Sequence, residues 1–396
     1  MTEGARKYRL LIYTRCSVEN LTIERPRVLL LIPHLGGGGA EKVFALLARG
    51  LSQEKYELHL GVVTGAADPA DAIPPAVSVH LLAAPRVRSA AFRLLALVRR
   101  LKPQVIVSGM FHLNFLILLL RPLFPRPVQV LVRQNGTVTA ALDSGILPSC
   151  TRLLYRMLYP LADRVICQSR AMANDLVREL GISAQHLSVM PNPIEVERIR
   201  AAMHESSERW TGSGPHLLAV GRLSREKGFD LLLRALVTVR EQFAHADLVI
   251  AGTGSEEAAL KAQCRQLGLE SAVRFVGYID RPSAYFPGAS AFVLSSRHEG
   301  LPNALLEAAA GGLPIVALPA SGGIVDLLRG QTGSWLASEV SAEALAVALL
   351  AALSSFGKEQ RFKHPFIEEF RFDRAIRAYE DLIDAAIAGA AIKGRM

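Results

Sequence analysis

The chain has 396 residues, half of them hydrophobic and a fifth charged, which exceeds one ordinary core, implies about two domains and excludes a disordered or fibrous protein. Its net charge of +9 is lopsided: residues 1–195 hold 23 Lys+Arg against 13 Asp+Glu, and the remainder 22 against 23. A basic first half predicts an anionic partner such as phosphates or lipid headgroups, while an aromatic content of 6% argues against nucleic acid, whose bases need stacking platforms.

Residues 1–25 are polar and mixed, read as an extension with no secretory leader. "RVLLLIPHL" is too short to span a membrane and reads as a buried strand. Four glycines, Gly36 to Gly39, follow it, and a helix begins near Glu41. Then come "ELHLGVVT", "VSVHLL", a helix near Ala90–Leu101, "QVIVSG", "VQVLVRQ", "RVICQS", a helix Ala171–Leu180 and "LSVMPN". The apolar stretch Pro103–Leu120 contains Gln104, Ser108, His112 and Asn114, and so reads as a strand, a turn and a helix start. Short buried runs between helices predict a parallel sheet covered on both faces.

After a Pro-, charge- and Ser/Gly-rich stretch the pattern restarts: "HLLAVGRL", a helix Gly228–Phe243, "ADLVIAGTG", a helix Ser255–Leu267, "VRFVGYI", "AFVLSS", a helix Asn303–Gly311, "PIVAL" and "GSWL". The expected fold class is therefore α/β, with two doubly wound sheets in series. The predicted domains are 26–194 and 195–369, and an amphipathic helix in 370–396 can cross back to the first. Cys16, Cys150, Cys167 and Cys264 lack metal-ligand spacing and read as thiols in a reducing compartment.

Four loops carry candidate chemistry. The glycines, Gly37 and Gly38 among them, let a ligand approach a helix N-terminus. No Gly-Lys-Ser/Thr follows, so this is not a Walker loop. Arg222 and Lys227, on the loop of "VGRLSREKG", can hold a diphosphate: Arg offers a fork and Lys a mobile charge. Gly252 and Gly254 repeat the strand–glycine–helix design. "SSRHEGLPNALLEAAAGG" places Glu299 on a loop and Glu307 about one turn into a helix that Pro302 and Asn303 begin, Asn303 being a good cap. Carboxylates accept two hydrogen bonds from a diol, and N–H groups near Gly300 and Leu301 can hold a phosphate between the two acids.

Together "GGGGAEKV", "VGRLSREKG", "GTGSEEAAL", "VRFVGYI" and "HEGLPNALLEAAAGGLPIVA" resemble, in order, the retaining GT-B glycosyltransferases of family four, from about Arg27 to Asp384. The resemblance implies two Rossmann-like domains facing across a cleft. It implies that Arg222 and Lys227 hold the donor diphosphate and stabilise its growing charge, that Glu299 contacts the donor sugar, and that Glu307 contacts the ribose. Backbone around Gly300, Leu301, Pro302 and Asn303 then touches phosphates or sugar, Tyr278 and Ile279 lie by the base, and the glycine loop faces the donor. No protein nucleophile is assigned.

The implied co-substrate is a nucleotide sugar, taken as a UDP-sugar, with no metal or other cofactor; the implied partner is a glycan or lipid-linked acceptor. A cytoplasmic enzyme, peripheral on an anionic membrane, fits the basic first half. Many relatives carry a histidine where this chain has Arg133, Gln134 and Asn135. Arg133, Asn135 and His112, the nearest histidine from another strand end, are the acceptor-side candidates, His112 having a core or loop role as its alternative. An epimerase of the same fold and a non-catalytic sugar-nucleotide-binding subunit are the competing readings.

Overall fold

The computed structural model describes residues 24–36, 38–65, 73–125, 127–139, 149–204, 210, 212–355 and 360–393. The predicted extension therefore lies almost wholly outside the described residues, as does Gly37.

The first sheet contains β1 (Arg27–Ile32), β2 (Glu57–Val62), β3 (Ser78–Leu81), β4 (Val105–Gly109), β5 (Gln129–Arg133), β6 (Arg164–Cys167) and β7 (Leu187–Val189), in the order β3-β2-β1-β4-β5-β6-β7. The second contains β8 (His216–Val220), β9 (Asp247–Ala251), β10 (Val273–Phe275), β11 (Ala291–Leu294), β12 (Ile315–Ala317) and β13 (Ser334–Leu336), in the order β10-β9-β8-β11-β12-β13. Every pairing is parallel. These strands are the apolar runs read from the sequence. Parallel pairing needs helical crossovers, which cover both faces and explain why the strands are apolar throughout rather than alternating.

Each sheet has a packed core on either side. Helices Ala91–Leu101, Phe111–Leu120, Ser149–Leu158 and Arg170–Leu180 cover one face of the first sheet. Helix Gly39–Gly50 covers the other, joined by Ile376, Tyr379 and Ile383 of helix Phe372–Lys393. The stretch Pro103–Leu120 is a strand followed by a helix, and among the described residues no helix is long and apolar enough to cross a membrane.

The chain passes between the domains twice, side by side. The Ile194 N–H donates to the Phe370 carbonyl at 2.8 Å, and the Phe372 N–H donates to the Ile194 carbonyl at 2.9 Å. The last helix starts at once on the first domain's side of this bridge.

Candidate active site

Strand order reverses between β1 and β4 and between β8 and β11. Crossovers leave in opposite directions there and open a crevice at the C-terminal strand ends. The loops after β1, β8 and β11 carry the glycine run, the Arg222–Lys227 pair and Glu299, and His112 lies in the first turn of helix Phe111–Leu120, which follows β4.

In the second domain, Lys227 ends a 3-10 turn, Arg225–Lys227. Ser295 Oγ donates to the Lys227 carbonyl at 2.9 Å, and the Arg297 N–H donates to the Glu226 carbonyl at 2.7 Å. Arg297 forks onto Asp230 at 2.6 and 2.7 Å, which locks the two loops together. Burial alone would raise the Asp230 pKa; the Arg297 hydrogen bond and charge outweigh it and hold the carboxyl below its ordinary value. Within this frame Lys227 Nζ lies 2.5 Å from Glu299 Oε1, which also accepts from Ser296 Oγ at 2.7 Å. Arg222 is exposed, and among the described residues no hydrogen bond or ion pair engages its guanidinium.

Gly252 and Gly254 serve the backbone that carries Arg222. Gly252 has φ +145°, and a Cβ there would lie 1.9 Å from the Gly221 carbonyl oxygen; at Gly254 it would lie 2.3 Å from that of Leu223. The glycines thus let the loops after β8 and β9 pack directly on one another.

Glu307 sits on helix Asn303–Ala310 with 9% of its side chain exposed, and its Oε1 is 2.5 Å from Lys42 Nζ of helix Gly39–Gly50. Tyr278 is exposed; burial of part of its ring raises the phenol pKa, the charges of Asp280 and Glu307 add to the shift, and Lys42 opposes it. Ile279 instead packs on the second domain's core. A cavity of about 320 Å³ opens here, lined by Lys42, Glu307, Asp280, Arg281 and the crossing segment near Ile194.

The first domain grips the loop between the two acids. The Leu301 N–H donates to Gln168 Oε1 at 3.1 Å, so that group is engaged by the facing domain instead of standing free for a phosphate. Asn192 Nδ2 donates to Asn303 Oδ1 at 2.7 Å and to the Leu301 carbonyl at 3.4 Å; Asn303 Nδ2 donates to the Gly39 carbonyl at 2.8 Å. Asn303 is therefore no cap for its own helix, whose N-cap is Pro302 without a side-chain bond. Its amide ties two helix starts together across the cleft. Gly300 is close to the same domain: a Cβ there would lie 2.4 Å from the Asn135 carbonyl oxygen.

Of the acceptor-side candidates, Arg133 is 1% exposed. It donates to Asn192 Oδ1 at 2.6 Å and also to Asn135 Oδ1. It braces the residues that hold Leu301 and Asn303, and in this conformation its side chain does not line open space. His112 is half-buried against Phe111; burial and the nearby His34 lower its pKa, so it is neutral at pH 7. His34 in turn approaches Glu41 in the turn after the glycines, at 3.4 Å. A Cβ on Gly38 would lie 2.2 Å from Glu41 Oε2, so this glycine makes room for the acid.

Comparison with known proteins decides the family. The model described as "Glycosyltransferase Family 4" matches residues 37–198, and that described as "Glycosyl transferases group 1" matches 214–355, so the two together cover most of both domains. The chain belongs to the family-four GT-B glycosyltransferases. This glycosyltransferase is 26% identical, over 75% of its length and 82% of the relative's, to a Campylobacter jejuni protein. That relative is the N-acetylgalactosamine-N,N'-diacetylbacillosaminyl-diphospho-undecaprenol 4-alpha-N-acetylgalactosaminyltransferase. This chain is also 31% identical to the amylovoran biosynthesis glycosyltransferase AmsK of Erwinia amylovora, over 50% of its own length and 49% of that protein. Its fold matches the Anabaena protein Alr3699/HepE, solved in complex with UDP, with a TM-score of 0.68 at 16% identity over 93% of this chain and 99% of that one.

The sequence reading of this glycosyltransferase missed Lys42, Gln168 and Asn192. Lys42 stands in the quoted "GGGGAEKV", Gln168 is next to last in "RVICQS", and Asn192 ends "LSVMPN". The usable signal was position: polar residues just beyond strand ends face the crevice in this fold.

Proposed function

We propose that the enzyme transfers a sugar, a hexose or N-acetylhexosamine, from a nucleotide diphosphate donor, a UDP-sugar, to a glycan or lipid-linked acceptor in cell-envelope polysaccharide synthesis. The observation that carries this is the grouping of Arg222, the Lys227–Glu299 pair and Glu307 around one crevice at the C-terminal ends of β8 and β11. The charges of the two acids are matched by two lysines, which leaves Arg222, whose guanidinium has no partner among the described residues, as a cation for a diphosphate. In this reading Glu307 takes the ribose diol, Arg222 and Lys227 take the diphosphate, and Glu299 takes sugar hydroxyls while orienting Lys227.

The donor bond breaks toward an oxocarbenium-like state as negative charge grows on the leaving nucleoside diphosphate. Fixed cations at that point supply the main stabilisation, and the enzyme works without a divalent metal. The acceptor oxygen attacks from the face the phosphate leaves, so configuration is retained, and the departing phosphate takes the acceptor proton. The likeness to the Campylobacter enzyme, whose name specifies a diphospho-undecaprenol acceptor, supports a lipid-linked one.

An anionic membrane as working surface is supported by three neighbouring helices, Ala91–Leu101, Phe111–Leu120 and Ser149–Leu158. They contain five arginines and no acidic residue. They expose Phe92 by 87%, Leu119 by 65% and Met157 by 62%. The active enzyme then works at the cytoplasmic face of that membrane.

The test is UDP release from UDP-sugars with and without a polyprenyl-diphosphate glycan. Release is expected only with acceptor, and sugar interconversion without acceptor would mark an epimerase instead. Lys227→Ala should lower kcat by about 10²–10³-fold in a protein that still folds. Near-normal turnover in that variant rules out the diphosphate role.

A further inference from the structure

Glu307 is assigned above to the donor ribose, yet its carboxylate is already engaged. Among the described residues its hydrogen-bond partner is Lys42, which comes from the opposite domain. Lys42 lies in the first turn of helix Gly39–Gly50, whose start is tied to the Glu307 helix by the Asn303-to-Gly39 hydrogen bond. The ion pair is asymmetric: the glutamate side chain is 9% exposed and the lysine 45%. The acid is thus fixed and desolvated, and the lysine is a flexible stem with a head that reaches solvent and lines the adjoining cavity.

A ribose diol that takes Glu307 must displace the ammonium. The carboxylate then trades a charge-assisted hydrogen bond for bonds from neutral hydroxyls, an unfavourable exchange in a buried setting. A neutral nucleoside offers the released ammonium nothing. A nucleoside diphosphate brings two phosphates into the same crevice, so the ammonium can exchange one anion for another.

We propose that Lys42 is a donor-selectivity residue, holding Glu307 closed to neutral diols and yielding it to nucleotides whose diphosphate gives the ammonium a second partner. This rests on the assignment of Glu307 to the ribose.

The experiment is calorimetric titration of uridine and of UDP into the full-length protein and its Lys42→Met, Lys42→Arg and Glu307→Ala variants, with thermal unfolding of each as a check on folding. Lys42→Met should bind uridine about tenfold more tightly than wild type and UDP no more tightly, so that the preference for UDP over uridine shrinks about tenfold. Lys42→Arg, which keeps the charge, should keep the wild-type preference. If Glu307→Ala weakens both ligands by tenfold or more while Lys42→Met leaves the preference as it was, the selectivity role is wrong and the ribose assignment stands. If Glu307→Ala binds both ligands as wild type does, the ribose assignment fails and takes the selectivity role with it.

Discussion

At the scale of single residues, the crevice is built by side chains that meet only through the fold. Lys227 and Glu299 are 72 positions apart and share a hydrogen bond; Lys42 and Glu307 are 265 apart. Glycines make the supporting backbone possible. Gly252→Ala should lower stability by about 1–3 kcal/mol, because its backbone angle suits no side chain and the methyl meets a carbonyl oxygen. The same change should reduce kcat by shifting Arg222. Unchanged denaturation midpoint and kcat together would show that the loop tolerates the methyl and that Arg222 does not depend on it. The two acids were legible because their spacing and flanks are distinctive. Lys42 was not, since one lysine after a buried glutamate looks like any exposed helix position until the opposite domain is present. Asn303 was misread for a related reason: local rules make it a cap, and a tertiary contact overrides them.

Among elements, the strands were the easiest to read, because strands buried on both faces are short apolar runs bounded by polar turns. Helices Ser149–Leu158, Gly322–Leu328 and Ala342–Ser355 escaped. Ala342–Ser355 is Ala- and Leu-rich on nearly all sides and shows no stripe, while Gly322–Leu328 opens on a Gly-Gly that reads as a turn. Ser149–Leu158 carries an apolar stripe that was readable and was passed over, and the fold leaves Leu153, Leu154 and Met157 of that stripe exposed. That exposure supports the element-scale expectation. The protein should sediment with phosphatidylglycerol vesicles and much less with phosphatidylcholine, and Phe92→Glu with Met157→Glu should cut the bound fraction about tenfold. Equal binding to both vesicle types, or no loss in the double variant, would remove the membrane from the proposal.

For the whole molecule, the decisive feature is that the first domain is not continuous in sequence. Helix Phe372–Lys393 buries Ile376, Tyr379 and Ile383 in the core beside helix Gly39–Gly50. Lys55 Nζ and the Ser52 N–H both bond the Glu380 carboxylate, at 3.0 and 2.8 Å. Tyr379→Ala should therefore destabilise the first domain by about 3–5 kcal/mol, read by chemical denaturation, even though it lies 185 positions past the bridge residue Ile194, where the chain leaves that domain. A wild-type denaturation curve would contradict that packing. The amphipathic pattern of this helix was visible in the sequence; its destination was not, because an apolar stripe states that something is covered without naming what.

This arrangement sets an order of events during synthesis. The β4–β5 face that this helix covers emerges early from the ribosome, and its cover emerges only after the second domain. The second domain can finish folding as an insert while the first still shows bare apolar surface. A stalled or prematurely terminated chain would thus display a complete nucleotide-side domain attached to an unfinished, adhesive one, a natural substrate for chaperones.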